Sequence, residues 1–165
     1  MSRERQEYPD RRRTCKAVAG YMELGLPDLA LEELSQLHPA DLALVPVREL
    51  RLAVLIQLKR WDEAVVTGHV LCADAPECRG AWLHTACALH ELGRTRDACS
   101  LMLGVADLMS SDPLYHYNLG CYLAVLGDHQ NAEVSLRTAF AARPGLREYA
   151  RNDRDLASLG PLDHL

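Results

Sequence analysis

Apolar residues recur along the chain at helical spacing, and a short set of landmarks returns at one fixed interval. Four alanines lie 34 residues apart, at Ala30, Ala64, Ala98 and Ala132. Two apolar columns keep the same interval, with Leu24, Leu58, Leu92 and Leu126 in one and Tyr21, Leu55, Leu89 and Leu123 in the other. This self-similarity predicts that one supersecondary unit is used repeatedly, each copy burying its apolar face against the next.

Each unit is predicted to be a pair of helices joined by a tight turn. A further column directly follows the leucines, at Gly25, Lys59, Gly93 and Gly127. We place this column at the end of the first helix, where glycine closes the turn because it adopts a positive φ without strain. Lys59 lacks that freedom, so its turn is expected to close differently.

The other columns are assigned to the packing between the paired helices. The alanine column falls inside the second helix, where a small side chain lets the two backbones approach closely. The Leu and Tyr columns are expected to form the buried apolar stripe. Pro76 and Pro144 are expected to end two of the second helices, and Asp112-Pro113 to begin a first helix as cap and first-turn proline.

With these columns the chain resembles the tetratricopeptide repeat (TPR) family. That family has the same period and the pattern W-x2-L-G-x2-Y…A-x3-F…P. The fullest copy here reads His116-x2-Leu119-Gly120-x2-Leu123, then Ala132-x3-Leu136 and Pro144. The resemblance implies an all-α fold, a right-handed α-solenoid of antiparallel helix pairs in a TPR-like superhelix.

The resemblance also divides the chain. Residues 11–144 form four repeats, at about 11–44, 45–78, 79–112 and 113–146, after a polar segment at 1–10. Residues 147–165 are a predicted C-terminal capping helix and tail. Within them, residues 152–159 (NDRDLASL) resemble the tail that follows the last repeat in some bacterial proteins of the family. We interpret this stretch as a cover for the apolar end of the array, which has no neighbouring repeat.

Composition narrows the classes of partner and compartment. The chain has 165 residues, 48% of them hydrophobic, with a net charge of −5 and no apolar run of membrane-spanning length. An acidic balance argues against nucleic acid as the main partner, and no membrane association is expected. The charged N-terminus lacks the apolar stretch of a secretory signal. The six cysteines lie inside helical segments, which indicates free thiols in a reducing cytoplasm.

Candidate chemistry is sparse. No phosphate loop, nucleophile elbow, dinucleotide fingerprint or H-E-x-x-H motif is present in the sequence. His69 and Cys72 are three residues apart, as are His84 and Cys87, so each pair shares a helical face. A zinc site needs four converging ligands, and buried cysteine as a small apolar residue explains the pattern more simply. We therefore expect no enzyme activity, no catalytic residues, no metal and no cofactor.

The resemblance implies a concave groove lined by the first helix of each pair. Carrying the repeat phase along the chain nominates Cys15, Ala19, Met22, Glu49, Ala53, Ile56, Leu83, Cys87, His90, Tyr117, Asn118 and Cys121. Family members that hold chaperone tails clamp a terminal carboxylate with Lys and Asn residues, whereas the corresponding places here carry Cys15 and Ala19. Cys87 and Cys121 occupy equivalent positions, either as redox-sensitive thiols or as side chains small enough to leave room.

The function implied is protein–protein interaction. The chain is expected to bind a peptide segment of another protein in the groove, as an adaptor or co-chaperone-like module. Two alternatives remain open: a secretion-chaperone-like protein, and a self-assembling scaffold subunit that forms a homo-oligomer.

Overall fold

The computed structural model of the chain describes residues 8–162, which contain helices and no strand. Of the predicted N-terminal polar segment, residues 1–7 lie outside the described residues, as do residues 163–165 of the predicted tail. The chain divides into two compact units, with the boundary between Ala81 and Trp82. Each unit is built from helix pairs, as the repeat predicts.

Unit 1 contains two full helix pairs and one short helix. The helices are α1 (Arg11–Glu23), α2 (Pro27–Ser35), α3 (Pro39–Leu42), α4 (Val45–Gln57) and α5 (Trp61–Asp74). Helix α1 packs on α2, α4 packs on α5, and α2 also contacts α4. A buried apolar cluster holds them together, formed by Val18, Ala30, Leu34, Leu37, Val47 and Val54.

Unit 2 contains the later pairs and the C-terminal segment. Its helices are α6 (Arg79–Glu91), which begins just before the unit boundary, α7 (Thr95–Leu103), α8 (Ala106–Met109), α9 (Pro113–Val125), α10 (His129–Ala142), α11 (Leu146–Ala150) and a final 3₁₀ helix (Arg154–Leu159). Helix α9 packs on α10, α7 and the 3₁₀ helix. Most of α9 is buried, because it has packing partners on several sides.

The alanine column behaves as predicted. Ala30, Ala64, Ala98 and Ala132 lie in α2, α5, α7 and α10, and each is 0% exposed. The leucine column does not. Leu24 is 73% exposed and Leu126 is 38% exposed, because both are C-cap residues at the surface end of a helix. The prediction that this column joins the buried stripe is therefore wrong at Leu24 and Leu126, whereas Leu58 packs partly against the buried cluster of unit 1. Leu55 and Leu89 of the other column are buried.

All four first helices end in the same type of turn. The turn residues Gly25, Lys59, Gly93 and Gly127 have φ values of 68°, 56°, 75° and 84°. At Lys59 the amide donates to the Ile56 carbonyl and the Arg60 amide to the Leu55 carbonyl, both at 3.0 Å. Gly93 and Arg94 make the corresponding bonds. The expectation of a different closure at Lys59 is wrong: this paired bonding pattern sets the turn, and lysine adopts the left-handed backbone.

Gly120 explains how closely α9 approaches α10. A Cβ added at Gly120 would lie 2.8 Å from Leu136 Cγ and 3.2 Å from the Ala132 carbonyl oxygen. Any larger residue would push the two backbones apart at the alanine column. Gly120 thus serves close packing, while Gly127 closes the turn.

The predicted helix ends are confirmed. Helix α5 ends at Asp74, just before Pro76, and α10 ends at Ala142, just before Pro144. The Asp112 side chain accepts a hydrogen bond from the Leu114 amide at 2.8 Å, so it caps α9 as expected.

Candidate peptide-binding faces

In unit 1, the nominated residues come from one side of α1 and one side of α4. Cys15, Ala19 and Met22 follow each other at helical spacing on α1, as Glu49, Ala53 and Ile56 do on α4. Ala19 is exposed, and Ala53 and Ile56 are half-buried. Cys15 and Met22 pack partly against the buried cluster of unit 1. This unit 1 face, defined by these six residues, is therefore made largely of small or apolar side chains.

Two contacts fix the α4 side of the unit 1 face. The Gln57 side-chain amide donates to the Met22 carbonyl at 3.3 Å, which ties α4 to the end of α1. The Glu49 carboxylate lies so close to Gly80 that a Cβ there would collide with Oε1. Burial raises the pKa of the nearby Cys78 thiol, and Glu49 raises it further. Glu49 is thus engaged at the start of α6.

In unit 2, the nominated residues meet the C-terminal segment of the same chain. The Tyr117 hydroxyl donates to Asp153 Oδ2 at 2.7 Å, and Cys121 Sγ donates to the same oxygen at 3.6 Å. His90 Nε2 lies 3.0 Å from Asp155 Oδ2. The structure therefore brings His90, Tyr117 and Cys121 together, from α6 and α9, around two aspartates of one short segment. We call this the unit 2 face, which also includes Cys87.

The orientation of His90 is set from its other side. His90 Nδ1 lies 2.9 Å from Thr95 Oγ1, and the imidazole packs against the Tyr122 ring with 5.0 Å between centroids. Because a carboxylate only accepts hydrogen bonds, Nε2 must carry a proton towards Asp155. In the neutral imidazole the Thr95 hydroxyl then donates to Nδ1, and in the protonated form His90 and Asp155 make an ion pair.

Burial favours the protonated forms of Tyr117, Cys121 and Cys87 on the unit 2 face. It raises the pKa of Tyr117 and of Cys121, and Asp153 raises both further. It also raises the pKa of Cys87 to about 11, with smaller contributions from Glu91 and Asp155. A thiol that stays protonated at neutral pH is a poor nucleophile and a poor metal ligand. The raised pKa therefore makes Cys87 and Cys121 less reactive than ordinary exposed thiols.

The segment that covers the unit 2 face is anchored along one side. Asp153 caps the 3₁₀ helix by accepting from the Asp155 amide at 3.0 Å. Leu156 is only 2% exposed, and the Ser158 hydroxyl donates to the Ala124 carbonyl at 3.4 Å. Arg154, between the two aspartates, has a side chain that is 82% exposed. Asp153 and Asp155 are thus half-buried and Leu156 is buried, whereas Arg154 is exposed.

This placement differs from a simple cover over the end of the array. Helix α11 contacts α10, and the Arg147 guanidinium lies 4.9 Å from the centroid of the Phe140 ring. The 3₁₀ helix instead lies on α9, against residues nominated for the groove. Asp153, Asp155 and Leu156 were not among those nominated residues. The Asp-x-Asp-Leu spacing was the available signal, but the contacts join residues as far as 65 positions apart in the sequence.

An open pocket lies beside Asp153. Its volume is about 580 Å³, and it is lined by Leu114, Tyr117, Asn118, Arg143, Gly145, Leu146, Tyr149 and Asp153. Asn118 is half-buried in this pocket, and Tyr149 at its edge is 75% exposed. Leu83, the remaining nominated residue, is half-buried in α6.

Residues 8–162 contain no side-chain arrangement typical of a metal site and no membrane-spanning helix. No three His, Cys, Asp or Glu side chains in that range are arranged to hold a metal ion, and its six cysteines are free. In the same range, no helix combines the length and apolar character needed to cross a bilayer.

Comparison with known proteins identifies the fold. No protein-family model and no curated protein matches the sequence. Among solved structures, TTC0263, a thermophilic TPR protein of Thermus thermophilus, superposes with a TM-score of 0.78 over 92% of this chain and 84% of its own, at 21% identity. MamA from strain AMB-1 gives a TM-score of 0.68 over 92% and 90% of the two chains, at 19% identity. MamA of Desulfovibrio magneticus RS-1 gives 0.67 over 90% and 88%, at 16% identity.

These similarities, together with the helix pairs and the buried alanine column, define the class of fold. The chain has the all-α fold of the tetratricopeptide repeat proteins. The sequence-based prediction of fold class is confirmed.

Proposed function

We propose that the chain is a protein–protein interaction module that binds a peptide segment of a partner on the inner sides of its first helices. One observation carries this proposal. In unit 2, residues nominated from the repeat phase already hold a short chain segment, through Tyr117 to Asp153 and His90 to Asp155. A surface that makes side-chain hydrogen bonds to a segment of its own chain has the chemistry to bind peptides.

The unit 1 face supports the same role with different chemistry. Ala19 and Ala53 are small, and Met22 and Ile56 add apolar surface beside them. Small residues leave room for side chains of an extended or helical peptide to insert. Because Cys15 and Ala19 stand where the family's carboxylate clamp would lie, we propose that an internal segment binds there rather than a chain terminus.

Single substitutions on the unit 1 face test this proposal. Peptides that bind the full chain are first selected from a displayed random library. Ala53→Arg or Ala19→Arg would fill the face with a long charged side chain, so the selected peptides should bind at least tenfold more weakly. Val66→Arg is the matched control, because Val66 is 67% exposed on the second helix α5. Equal binding by all three variants, with unchanged helicity, would remove the unit 1 face from the proposal.

The partner's identity separates the finer roles. An adaptor or co-chaperone-like module and a secretion-chaperone-like protein use the same surface and differ only in what they bind. We propose that the protein acts in a reducing cytoplasm, in line with its six free cysteines, and that it is an interaction module and not an enzyme. Neither nucleic acid nor membrane is proposed as a partner.

Self-assembly as a scaffold subunit is the second candidate. It is favoured by the segment on the unit 2 face, which every copy of the chain carries. A neighbouring copy can supply that segment by domain swapping. Sedimentation over a concentration series tests this candidate, because a chain that stays monomeric at high concentration leaves no role for swapping.

A further inference from the structure

The segment that lies on the unit 2 face shows what kind of peptide that face accepts. We infer that the face formed by His90, Tyr117 and Cys121 binds acidic segments with the pattern Asp-x-Asp-Leu. The chain's own residues 153–156 occupy it until a partner carrying this pattern displaces them. This inference rests on the proposed function and names the class of peptide for one of its faces.

Two hydrogen-bond donors recognise the first aspartate. The Tyr117 hydroxyl and Cys121 Sγ both point to Asp153 Oδ2, at 2.7 and 3.6 Å. Both side chains are buried, so a group that cannot accept hydrogen bonds would leave their donors unsatisfied away from water. Glutamate would place its carboxylate one methylene further out. The face therefore selects a short acidic side chain at this position.

A histidine with a fixed orientation recognises the second aspartate. His90 reaches Asp155 Oδ2 at 3.0 Å, while Thr95 and the Tyr122 ring fix the imidazole plane. The residue between the aspartates does not contribute to recognition in the same way. The Arg154 side chain is 82% exposed, and its nearest carboxylates are Glu91 at 3.7 Å and Asp155 at 3.9 Å. Ion pairs this exposed add little to binding, so position x tolerates substitution.

The leucine supplies the apolar anchor. Leu156 is 2% exposed and directly follows the second aspartate. Asp153 also caps the 3₁₀ helix through the Asp155 amide, so the segment has a defined local shape that does not depend on the face alone. A peptide already shaped in this way loses less conformational entropy when it binds.

A partner must compete with a tethered segment. Only residues 151–153 separate α11 from the 3₁₀ helix, so the segment is present at an effective concentration on the order of millimolar. A partner peptide that extends upstream of its first aspartate gains contacts that the chain's own segment lacks. The pocket of about 580 Å³ beside Asp153 offers such contacts, with Leu114 and Tyr149 on its walls.

The inference is tested with a fluorescent peptide of residues 152–160 and the full chain. In the variant Asp153→Asn/Asp155→Asn the tethered segment keeps its length and its acceptor oxygens but loses both charges, which weakens the hydrogen bonds from Tyr117 and His90. The peptide should bind this variant at least tenfold more tightly than the wild type, because occupancy by the tethered segment reduces apparent affinity. A peptide with both aspartates changed to asparagine should bind at least tenfold more weakly, whereas an Arg154→Ala peptide should bind equally well. Adding Tyr117→Phe to the variant should weaken binding again.

Release of the tethered segment is followed independently by alkylation of Cys121, mapped by mass spectrometry. If Cys121 stays protected in Asp153→Asn/Asp155→Asn, the variant Leu156→Asp removes the apolar anchor as well. Protection in both variants would overturn the inference, because the named side chains would not hold the segment. Equal peptide affinity for wild type and a variant with Cys121 exposed would also overturn it.

The outcomes separate this inference from the proposed function. The first case is that library peptides bind the unit 1 face but the Asp-x-Asp-Leu peptide binds neither the wild type nor Asp153→Asn/Asp155→Asn. The inference then fails and the proposed function stands. If the Asp-x-Asp-Leu peptide binds and Ala53→Arg affects no library peptide, the unit 1 face fails and the inference stands. A concentration-dependent dimer that the peptide dissolves would support the inference and identify a second copy as the source of the segment.

Discussion

The hydroxyl of Tyr117 donates a 2.7 Å hydrogen bond to Asp153, which lies 36 residues further along the chain. Tyr117 is 9% exposed, so this bond forms where little water competes for it. The contact joins a residue nominated for peptide binding to the only segment seen on that face within residues 8–162. It makes residues 153–156 part of the unit 2 face.

We expect Tyr117→Phe to loosen this segment without unfolding the repeats. Removing the hydroxyl deletes a hydrogen bond to a charged group, so the free energy of unfolding should fall by about 1–3 kcal/mol. Cys121 should be alkylated faster, because it lies under the same carboxylate. Tyr149→Phe is the control, since Tyr149 is 75% exposed. Unchanged alkylation in Tyr117→Phe would mean that this bond does not hold the segment.

Two glycine-to-alanine substitutions should have opposite effects. Gly120→Ala places a Cβ 2.8 Å from Leu136 Cγ, and overpacking of this kind lowers the free energy of unfolding by about 1–3 kcal/mol. Gly20 lies inside α1 with no neighbouring atom within 4 Å of the added Cβ. Gly20→Ala should therefore stabilise by about 0.5–1 kcal/mol, because alanine has the higher helix propensity.

Urea unfolding of both alanine variants and the wild type measures this difference. If Gly20→Ala lowered the free energy of unfolding as much as Gly120→Ala, the close approach of α9 to α10 would not be what requires glycine. The two sites lie in different units, so their effects are expected to be independent.

Much of the fold could be predicted from the sequence, because close helix packing requires small residues at fixed positions. The alanine column marks where paired helices touch, and all four alanines are buried. Lys59 departs from the prediction because the hydrogen bonds of its turn outweigh the residue's preference. Leu24 departs from it because helical periodicity does not distinguish a helix interior from its C-cap.

The site was only partly readable for a different reason. The repeat phase nominated His90, Tyr117 and Cys121, since family-equivalent positions recur at a fixed interval. Their occupant follows from contacts across 32 to 65 residues, and helical periodicity carries no information over such separations. Binding of a partner peptide on either face stays a prediction.

Lys59→Gly should stabilise the protein. A non-glycine residue in the left-handed region is strained by about 1–2 kcal/mol, and Lys59 has a φ of 56°. Glycine removes the strain but adds freedom to the unfolded chain, so we expect a net gain of about 0.5–1 kcal/mol. Lys59→Ala is the control that removes the charge and keeps the strain. Thermal and urea unfolding should show no gain for alanine, and equal gains in both variants would assign the effect to charge.

Alkaline pH should lower the free energy of unfolding through the Cys87 thiol. Burial raises the pKa of Cys87 from 9.0 to about 11, so the unfolded chain loses this proton at lower pH than the folded chain. The contribution of Cys87 is therefore fully present below about pH 9 and declines as pH rises towards 11, by about 1.4 kcal/mol per pH unit. Urea unfolding of wild type and Cys87→Ala at pH 8, 9 and 10 isolates this contribution, because other titrating groups are common to both chains. The stability difference between them should shift by about 1–2 kcal/mol across that range, in favour of Cys87→Ala at the higher pH. A difference that stays constant would show that the Cys87 thiol ionises alike in the folded and unfolded chains.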